Sequence, residues 1–167
     1  LPTEQILSVG MGGSATTPEI QRRVYDRFPH LEHTMSTGYG STETGALVSF
    51  APSFLLEASP DCIGPALPTV QVRIIDEDGV EQPEGGVGNI WVRSPLVMTE
   101  YWRHPAANAE AFTPDRYVNT GDFGRIEGDC VYIASRKRDI IIRGGENIYP
   151  FEIENCIEEI PGVVETA

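Results

Sequence analysis

The segment from residue 37 to residue 45, TGYGSTETG, concentrates residue types that could bind a nucleotide. Its glycines would let the backbone approach a ligand closely, Tyr39 offers a flat ring for a base, and Glu43 offers the hard oxygen that Mg²⁺ prefers. Its hydroxyl donors are Ser41, Thr42 and Thr44. A polar surface turn with a solvated glutamate has the same composition, so this segment alone leaves both interpretations open.

Two further segments carry groups of matching chemistry. In residues 119–122 (NTGD), a fixed Asp122 carboxylate could accept two hydrogen bonds from a ribose diol, although an aspartate at a turn more often bonds to its own backbone. Nearer the C-terminal end, four of the 12 basic residues lie within eight positions. This cluster could attract phosphate, or its charges could be solvated and offset neighbouring glutamates. Its members are Arg136, Lys137, Arg138 and Arg143.

An α/β unit, at about residues 1–60, is predicted to position the first segment. The short apolar run from Ile6 to Val9 predicts a strand, which a glycine-rich loop follows. A helix is expected from Pro18 to Phe28, because Thr17 can cap it, proline suits its first position and its apolar residues share one face. The chain is then expected to turn at residues 37–45.

Alternating apolar residues predict an antiparallel sheet or small barrel over about residues 61–138. The alternation is seen at Val70, Val72 and Ile74, at Ile90 and Val92, and at Val131 and Ile133. Asp78 and Gly79 predict a hairpin turn, and residues 105–112 (PAANAEAF) predict a short helix between strands.

A smaller C-terminal unit is expected to begin near Asp139. Its apolar residues 140–142 predict a strand, which a glycine turn follows, and Pro150 is expected to begin a helix. In that helix Ile153, Ile157 and Ile160 recur at helical spacing. The intervening glutamates, Glu152, Glu154, Glu158 and Glu159, are expected to face water.

The composition excludes several classes of partner. With 25 acidic and 12 basic residues the net charge is −13, which offers no basic field for a nucleic-acid backbone or an anionic membrane. No apolar run approaches the ~20 residues that span a bilayer. The three cysteines, Cys62, Cys130 and Cys156, have no CxxC spacing and cannot all pair within one chain, so we expect reduced thiols and a cytoplasmic location. A start without methionine, and an end where a new apolar run begins, indicate a piece of a longer polypeptide.

Three segments resemble, in order, the motifs of the adenylate-forming (AMP-binding) superfamily, which includes acyl-CoA synthetases, peptide-synthetase adenylation domains and luciferases. They are GYGSTETG (38–45), NTGD (119–122) and SRKRDIIIRGGENIYPFEIE (135–154). MGGSATT (11–17) is similar to the family's adenine loop. Within the superfamily, GGENIYPFEIE is similar to fatty-acyl or aryl CoA ligases rather than to peptide-synthetase domains.

The resemblance implies a two-step reaction. A carboxylic acid attacks the α-phosphate of ATP to give an acyl-adenylate, and the thiol of coenzyme A then displaces AMP. The implied ATP- and AMP-binding residues are Gly12, Gly13, Ser14, Tyr39, Gly40, Ser41, Thr42, Asp122 and Arg136. Within this set, Tyr39 would stack on the adenine and Asp122 would hold the ribose hydroxyls. Thr42, Glu43 and Arg136 would be catalytic, with Glu43 as the Mg²⁺ ligand.

A mixed α+β fold follows from the same resemblance. It consists of the end of the large AMP-binding domain (1–138), formed by an α/β part and a barrel-like antiparallel part, and a truncated small domain (139–167). Asp139 would be the hinge between the two domains. The first hairpin of the small domain would bring Gly144, Gly145 and Glu146 near the CoA channel. By the same analogy, Met11, Gly12, Met35 and Gly38 would border the acyl pocket.

Two parts of the family's machinery are missing from these residues. The Ser/Thr/Gly-rich phosphate loop does not occur, and the one lysine, Lys137, lies in the hinge segment and not at the position of the family's catalytic lysine. We therefore expect the chain alone to lack full adenylation activity. Two alternatives stay open: an adenylation domain that loads a carrier protein, and a nucleotide-binding module without turnover.

Overall fold

The computed structural model describes residues 3–13, 16–136, 139–143, 146–160, 162, 163 and 166. These residues form nine strands, four helices and two single turns of 3₁₀ helix at Thr3–Gln5 and Pro29–Leu31. The strands belong to three sheets of three, four and two strands. The predictions for Ser14, Lys137, Arg138, Gly144 and Gly145 lie outside the described residues.

The N-terminal sheet has the order β1-β2-β3. Its strands are β1 (Val9–Gly12), β2 (Met35–Gly40) and β3 (Leu47–Ala51). The first pair is parallel and the second antiparallel. The helix α1 (Pro18–Arg27) connects β1 to β2, and the Thr17 hydroxyl accepts a hydrogen bond from the backbone of Ile20, as expected of its cap. The helix α2 (Ser53–Ala58) follows β3 in the chain.

Two local predictions in this region are wrong. The sequence predicts the first strand at residues 6–9, but it begins at Val9 and ends at Gly12, because residues 9–12 pair with β2. Likewise, residues 37–40 belong to β2, and only residues 41–46 form the turn. In both places, backbone pairing with a neighbouring strand outweighs the low strand propensity of glycine.

The second sheet is antiparallel, with the order β4-β5-β6-β7. Its strands are β4 (Gln71–Ile75), β5 (Gly88–Arg93), β6 (Val118–Glu127) and β7 (Cys130–Arg136). The helix α3 (Pro105–Ala111) lies between β5 and β6, as predicted. Because β4 and β7 are the two edges, the sheet is open and not a closed barrel in the part of the chain that the structure describes. Its buried alternating residues share one core with Tyr39 of β2 and Val48 of β3, so the two sheets pack as one body.

The prediction of three reduced cysteines is wrong, because Cys62 and Cys130 form a disulfide. The loop after α2 pairs with the start of β7: Ile63 donates to the carbonyl of Val131 at 3.0 Å, and Val131 donates to that of Gly64 at 3.1 Å. This pairing brings the two sulfur atoms together across 68 positions of sequence. Cysteines so far apart in sequence give no local signal that they pair. The third cysteine, Cys156, is free and exposed.

The C-terminal elements are a hairpin of β8 (Ile141–Arg143) and β9 (Glu146–Ile148) and the helix α4 (Pro150–Glu158). The prediction that every glutamate of α4 faces water is wrong for Glu158, which is 7% exposed. The Thr17 hydroxyl donates to the Glu158 carboxylate at 2.8 Å, because α4 packs on the start of α1. Isoleucines 153, 157 and 160 are partly exposed instead. No helix among the described residues is long and apolar enough to cross a membrane.

Candidate functional site

A cavity of about 480 Å³ lies where the two sheets meet the start of α4. The predicted site residues on its wall are Gly13, Tyr39, Gly40, Ser41, Glu43, Asp122, Arg136 and Asp139. The three separated segments of the sequence therefore converge on one cavity, as the nucleotide interpretation requires. Their contacts with a ligand stay a prediction.

A bulge in β6 directs Asp122 into this cavity. Between the Asn89–Phe123 and Trp91–Asn119 pairs, β5 has one residue where β6 has three, and such an irregularity redirects side chains. Gly121 adopts the φ of +76° that this bend requires. Asp122 is then 6% exposed and faces into the cavity from a strand that the sheet holds on both sides.

Two neighbours hold the Asp122 carboxylate. The Tyr39 hydroxyl donates to its Oδ2 at 2.7 Å, and Nε of Arg136, its cross-strand partner, lies 3.4 Å from Oδ1. Burial raises the pKa of Asp122 above its ordinary value, although the hydrogen bond from Tyr39 and the charge of Arg136 act in the opposite direction. Burial likewise raises the pKa of Tyr39, so its hydroxyl stays neutral and can donate.

The turn between β2 and β3 presents Glu43 to the same cavity. Within the turn, the Thr44 hydroxyl accepts from the Ser41 amide at 2.9 Å and lies 3.0 Å from two backbone carbonyl oxygens that it can donate to. Thr44 is therefore committed to the turn, and its predicted role as a donor to a ligand is wrong. Gly45 closes the turn at φ +74°, and an added Cβ there would lie 2.0 Å from the carbonyl oxygen of Leu96.

The Glu43 carboxylate is half-buried and ionised. Hydrogen bonding from its own backbone amide lowers its pKa, and bonds from Tyr101 and Ser41 and the charge of Arg136 act in the same direction. The Tyr101 hydroxyl donates to Glu43 Oε1 at 3.0 Å. An anionic oxygen held in place on a cavity wall suits Mg²⁺, which proteins bind through one or two carboxylates together with substrate phosphates. The described residues contain no cluster of three or more metal-binding side chains, so Glu43 fits an ion that arrives with a substrate phosphate and not one held by the protein alone.

The cavity is strongly acidic. Five carboxylates line it, and among its described lining residues Arg136 is the one cationic side chain. The carboxylates are Glu43, Asp61, Asp122, Asp139 and Glu154. A polyphosphate entering this cavity would meet net repulsion unless a metal ion accompanied it or further cations were supplied.

Several predicted residues lie elsewhere. Gly12 pairs with Gly38 inside the first sheet, Thr42 is exposed, and Glu146 is exposed on β9; the cavity wall includes none of these three. Met35, expected at the acyl pocket, is fully buried beside Ala51 and Leu56, whereas Gly38 does line the cavity.

Sequence reasoning missed other residues on the wall. They include Thr16, Asp61, Ile63 and Glu154. Glu154 stands within the third motif and could have been found there, but helical spacing assigned it to the solvent. Asp61 has no motif around it and reaches the cavity through the pairing of its loop with β7, which only the fold shows.

Residues 3–102 match the family described as AMP-binding enzyme. The chain belongs to this family. Among curated relatives, it is 38% identical over 157 residues to indoleacetate–CoA ligase of Aromatoleum aromaticum. The matched region covers 93% of this chain and 30% of the relative. It is 39% identical over 135 residues to the fatty acid–[acyl-carrier-protein] ligase ScoC of Streptomyces coeruleorubidus, covering 76% and 25% respectively.

Solved structures of adenylate-forming enzymes share the fold. ATP-bound MatB from Rhodopseudomonas palustris superposes with a TM-score of 0.84 at 36% identity, over 95% of this chain and 31% of that one. The chain thus spans less than a third of the length of these AMP-binding enzymes.

Proposed function

We propose that the full-length gene product is an AMP-forming acid:CoA ligase and that this chain supplies the ribose and metal ends of its nucleotide site. One observation carries the proposal: Asp122, Arg136 and Glu43, which come from three separate motifs, face one cavity. Family membership and the names of the ligase relatives support the reaction class.

In this proposal the groups on the cavity wall have separate tasks. Asp122, oriented by Tyr39, accepts hydrogen bonds from the ribose hydroxyls, and Tyr39, which is 8% exposed and lines the cavity, lies beside the base. Arg136 stabilises negative charge that develops on the α-phosphate. Glu43 would hold Mg²⁺, which neutralises the departing pyrophosphate. Ser41 supplies a backbone and hydroxyl lining beside it.

The acid and the acceptor are the finer part of the proposal. We propose a fatty or aryl acid, since the residues 144–154 resemble CoA ligases of that class, and coenzyme A as the acceptor. A carrier protein is the alternative acceptor, which the name of ScoC supports.

We further propose that residues 1–138 belong to the large domain and residues 139–167 to the small domain, with Asp139 as the hinge and residues 144–146 beside the CoA channel. The chain alone would not complete adenylation, because its cavity is acidic and Arg136 is the one cation among the described residues of its wall. The disulfide removes the cysteine argument for a cytoplasmic location, which stays a prediction.

The test is ATP–pyrophosphate exchange by the full-length gene product with a panel of short, long-chain and aryl acids, followed by thioester formation with either coenzyme A or a carrier protein. Acid-dependent exchange and a CoA thioester are expected. Exchange with transfer only to the carrier would support the alternative acceptor. Binding of AMP without exchange for any acid would instead favour a nucleotide-binding module and overturn the proposal.

A further inference from the structure

Tyr101 contacts the Glu43 carboxylate but does not line the cavity. Its hydroxyl donates to Glu43 Oε1 at 3.0 Å, across 58 positions of sequence, and Glu43 lies on the cavity wall whereas Tyr101 does not. The tyrosine therefore stands behind the carboxylate, on the side away from a ligand.

The loop that carries Tyr101 is itself fastened to the Glu43 turn. The amide of Met98 donates to the backbone carbonyl of Glu43 at 2.9 Å. Nη2 of Arg116 donates to the carbonyl oxygens of Met98 and Thr99 at 3.2 and 3.0 Å. The Met98 bond joins this loop to the turn, and the Arg116 bonds join the same loop to the segment before β6.

Asn108 fixes the backbone of Tyr101. Its side-chain Oδ1 accepts from the Tyr101 amide at 2.7 Å, and its Nδ2 donates to the Tyr101 carbonyl at 3.0 Å. Asn108 belongs to α3, so a helix, a side-chain amide and a phenol form a continuous support from the protein body to Glu43.

The chemistry of this contact suits a metal ligand. The Tyr101 hydroxyl occupies one lone pair of Oε1 and, with the bonds from Ser41 and the Glu43 amide, restricts the rotation of the carboxylate. A carboxylate has about four acceptor sites, so it keeps capacity for a ligand in the cavity. Groups that orient a metal ligand from behind raise metal affinity because the ligand does not have to be ordered on binding.

We propose that Tyr101 is a positioning residue that orients Glu43 towards a divalent cation in the cavity, and that Asn108 holds Tyr101 for this purpose. The proposal rests on the proposed function, because it assigns the metal of a metal–nucleotide complex to Glu43. It extends that function by naming the residues that set the affinity for the ion.

The experiment compares the wild-type full-length gene product with Tyr101→Phe. Electron paramagnetic resonance measures the affinity for Mn²⁺ in the presence of ATP, calorimetry measures AMP binding in the presence of a chelator, and ATP–pyrophosphate exchange gives the Mg²⁺ concentration for half-maximal rate. Tyr101→Phe is expected to weaken Mn²⁺ binding and raise the Mg²⁺ requirement by ~10-fold, the lower range for groups that orient metal ligands. AMP binding without metal should stay unchanged.

Tyr117→Phe is the matched control. It also removes a tyrosine hydroxyl, but one that donates to Gln71 Oε1 at 2.8 Å and not to Glu43, so the metal requirement should not change. Asn108→Ala should weaken Mn²⁺ binding in the same direction as Tyr101→Phe.

Three results would overturn the inference. The first is an unchanged Mn²⁺ affinity in Tyr101→Phe, and the second is an equal loss of metal-free AMP binding, which would indicate a structural role only. If the wild type exchanges pyrophosphate, either of these results refutes the inference and leaves the proposed function standing. The third is a wild-type protein that binds no Mn²⁺ with ATP, which refutes the proposed metal site together with the inference.

Discussion

The cavity wall holds the Asp122 and Glu43 carboxylates by different means. We call the wall around Asp122 the sheet end and the wall around Glu43 the turn end. Asp122 is buried on a strand, and a sheet, a bulge and a buried tyrosine fix its position. Glu43 is half-buried on a turn, and a second loop fixes it through one phenol and one backbone bond. The sheet end is therefore built from the same contacts as the core, whereas the turn end is built from contacts that can be removed one at a time.

The difference also shows in the charges. Burial raises the pKa of Asp122. In contrast, a hydrogen bond from the backbone amide of Glu43 lowers the pKa of the Glu43 carboxyl. At the sheet end an ionised carboxylate costs stability, and at the turn end the surroundings favour the ion. Substitutions at the two ends should therefore separate stability from activity.

The largest effect is expected from Glu43→Gln in the full-length gene product. Loss of the anionic oxygen should reduce the rate of ATP–pyrophosphate exchange by ~10²–10³-fold, the range for losing one electrostatic stabiliser of a transition state. Glu154→Gln removes the same charge from the same cavity on α4 and should have a much smaller effect. Equal losses in both variants would show that Glu43 acts through the general field and not as a ligand.

Glycine-to-alanine substitutions compare the backbone at the two ends. Gly45 and Gly121 have nearly the same positive φ, +74° and +76°, but only at Gly45 would a Cβ meet a backbone atom, the Leu96 carbonyl oxygen at 2.0 Å. In urea denaturation of the chain, Gly121→Ala should lower the free energy of unfolding by about 1 kcal/mol from the φ alone. Gly45→Ala should lower it by at least ~2 kcal/mol because the loop behind it must also move. Equal costs would mean that this loop yields freely.

Tyrosine-to-phenylalanine substitutions compare the two hydroxyls. Tyr39→Phe leaves the buried Asp122 without its donor and should lower the free energy of unfolding by about 1–2 kcal/mol. Tyr101→Phe should cost less than this, because Glu43 is half-buried and water can replace the lost bond. Thermal and urea denaturation of both variants measure the difference. A larger cost at Tyr101 would reverse the comparison.

The smallest effect on stability, and one of opposite sign, is expected for Asp122→Asn. Asparagine keeps an acceptor for Tyr39 and removes the cost of burying a charge, so the free energy of unfolding near pH 7 should rise by up to about 1 kcal/mol. Folding raises the pKa of Asp122, so the folded wild type favours the protonated carboxyl. The stability that the protonated carboxyl gives is lost as the pH rises through the raised pKa. The advantage of the variant should therefore vanish near pH 3, below the ordinary pKa of aspartate at about 3.9.

The same variant should bind AMP ~10-fold more weakly, the size expected for losing a charge-assisted hydrogen bond to the ribose. Calorimetry on the full-length gene product measures this. An Asp122→Asn protein that is less stable than the wild type at neutral pH would show that the ion pair with Arg136 outweighs the burial of the charge.

Local signals predicted much of this fold. The cap, proline and apolar face of α1 lie within a dozen residues, and the alternation in β4, β5 and β7 follows from one buried face. Three motifs also sufficed to name Asp122 and Glu43, two of the five carboxylates on the cavity wall. In contrast, the contact between Tyr101 and Glu43 depends on how two distant loops meet, and no spacing predicts it.

The errors have the same origin. Helical periodicity shows that α4 has two faces, but only the position of α1 determines that Glu158 is buried against Thr17. The Thr44 hydroxyl has the right chemistry for a ligand, yet the turn itself uses it. Residue types predict what a side chain can do, whereas its neighbours decide what it is free to do.

The Cys62–Cys130 bridge has a consequence for the denatured ensemble. It encloses β4, β5 and β6 within a covalent loop, whereas the turn with Glu43 lies outside it. A cross-link across 68 positions restricts the unfolded chain and is worth roughly 4 kcal/mol in the loop-entropy account. The resistance of this protein to unfolding should therefore depend on the thiol–disulfide balance of its surroundings.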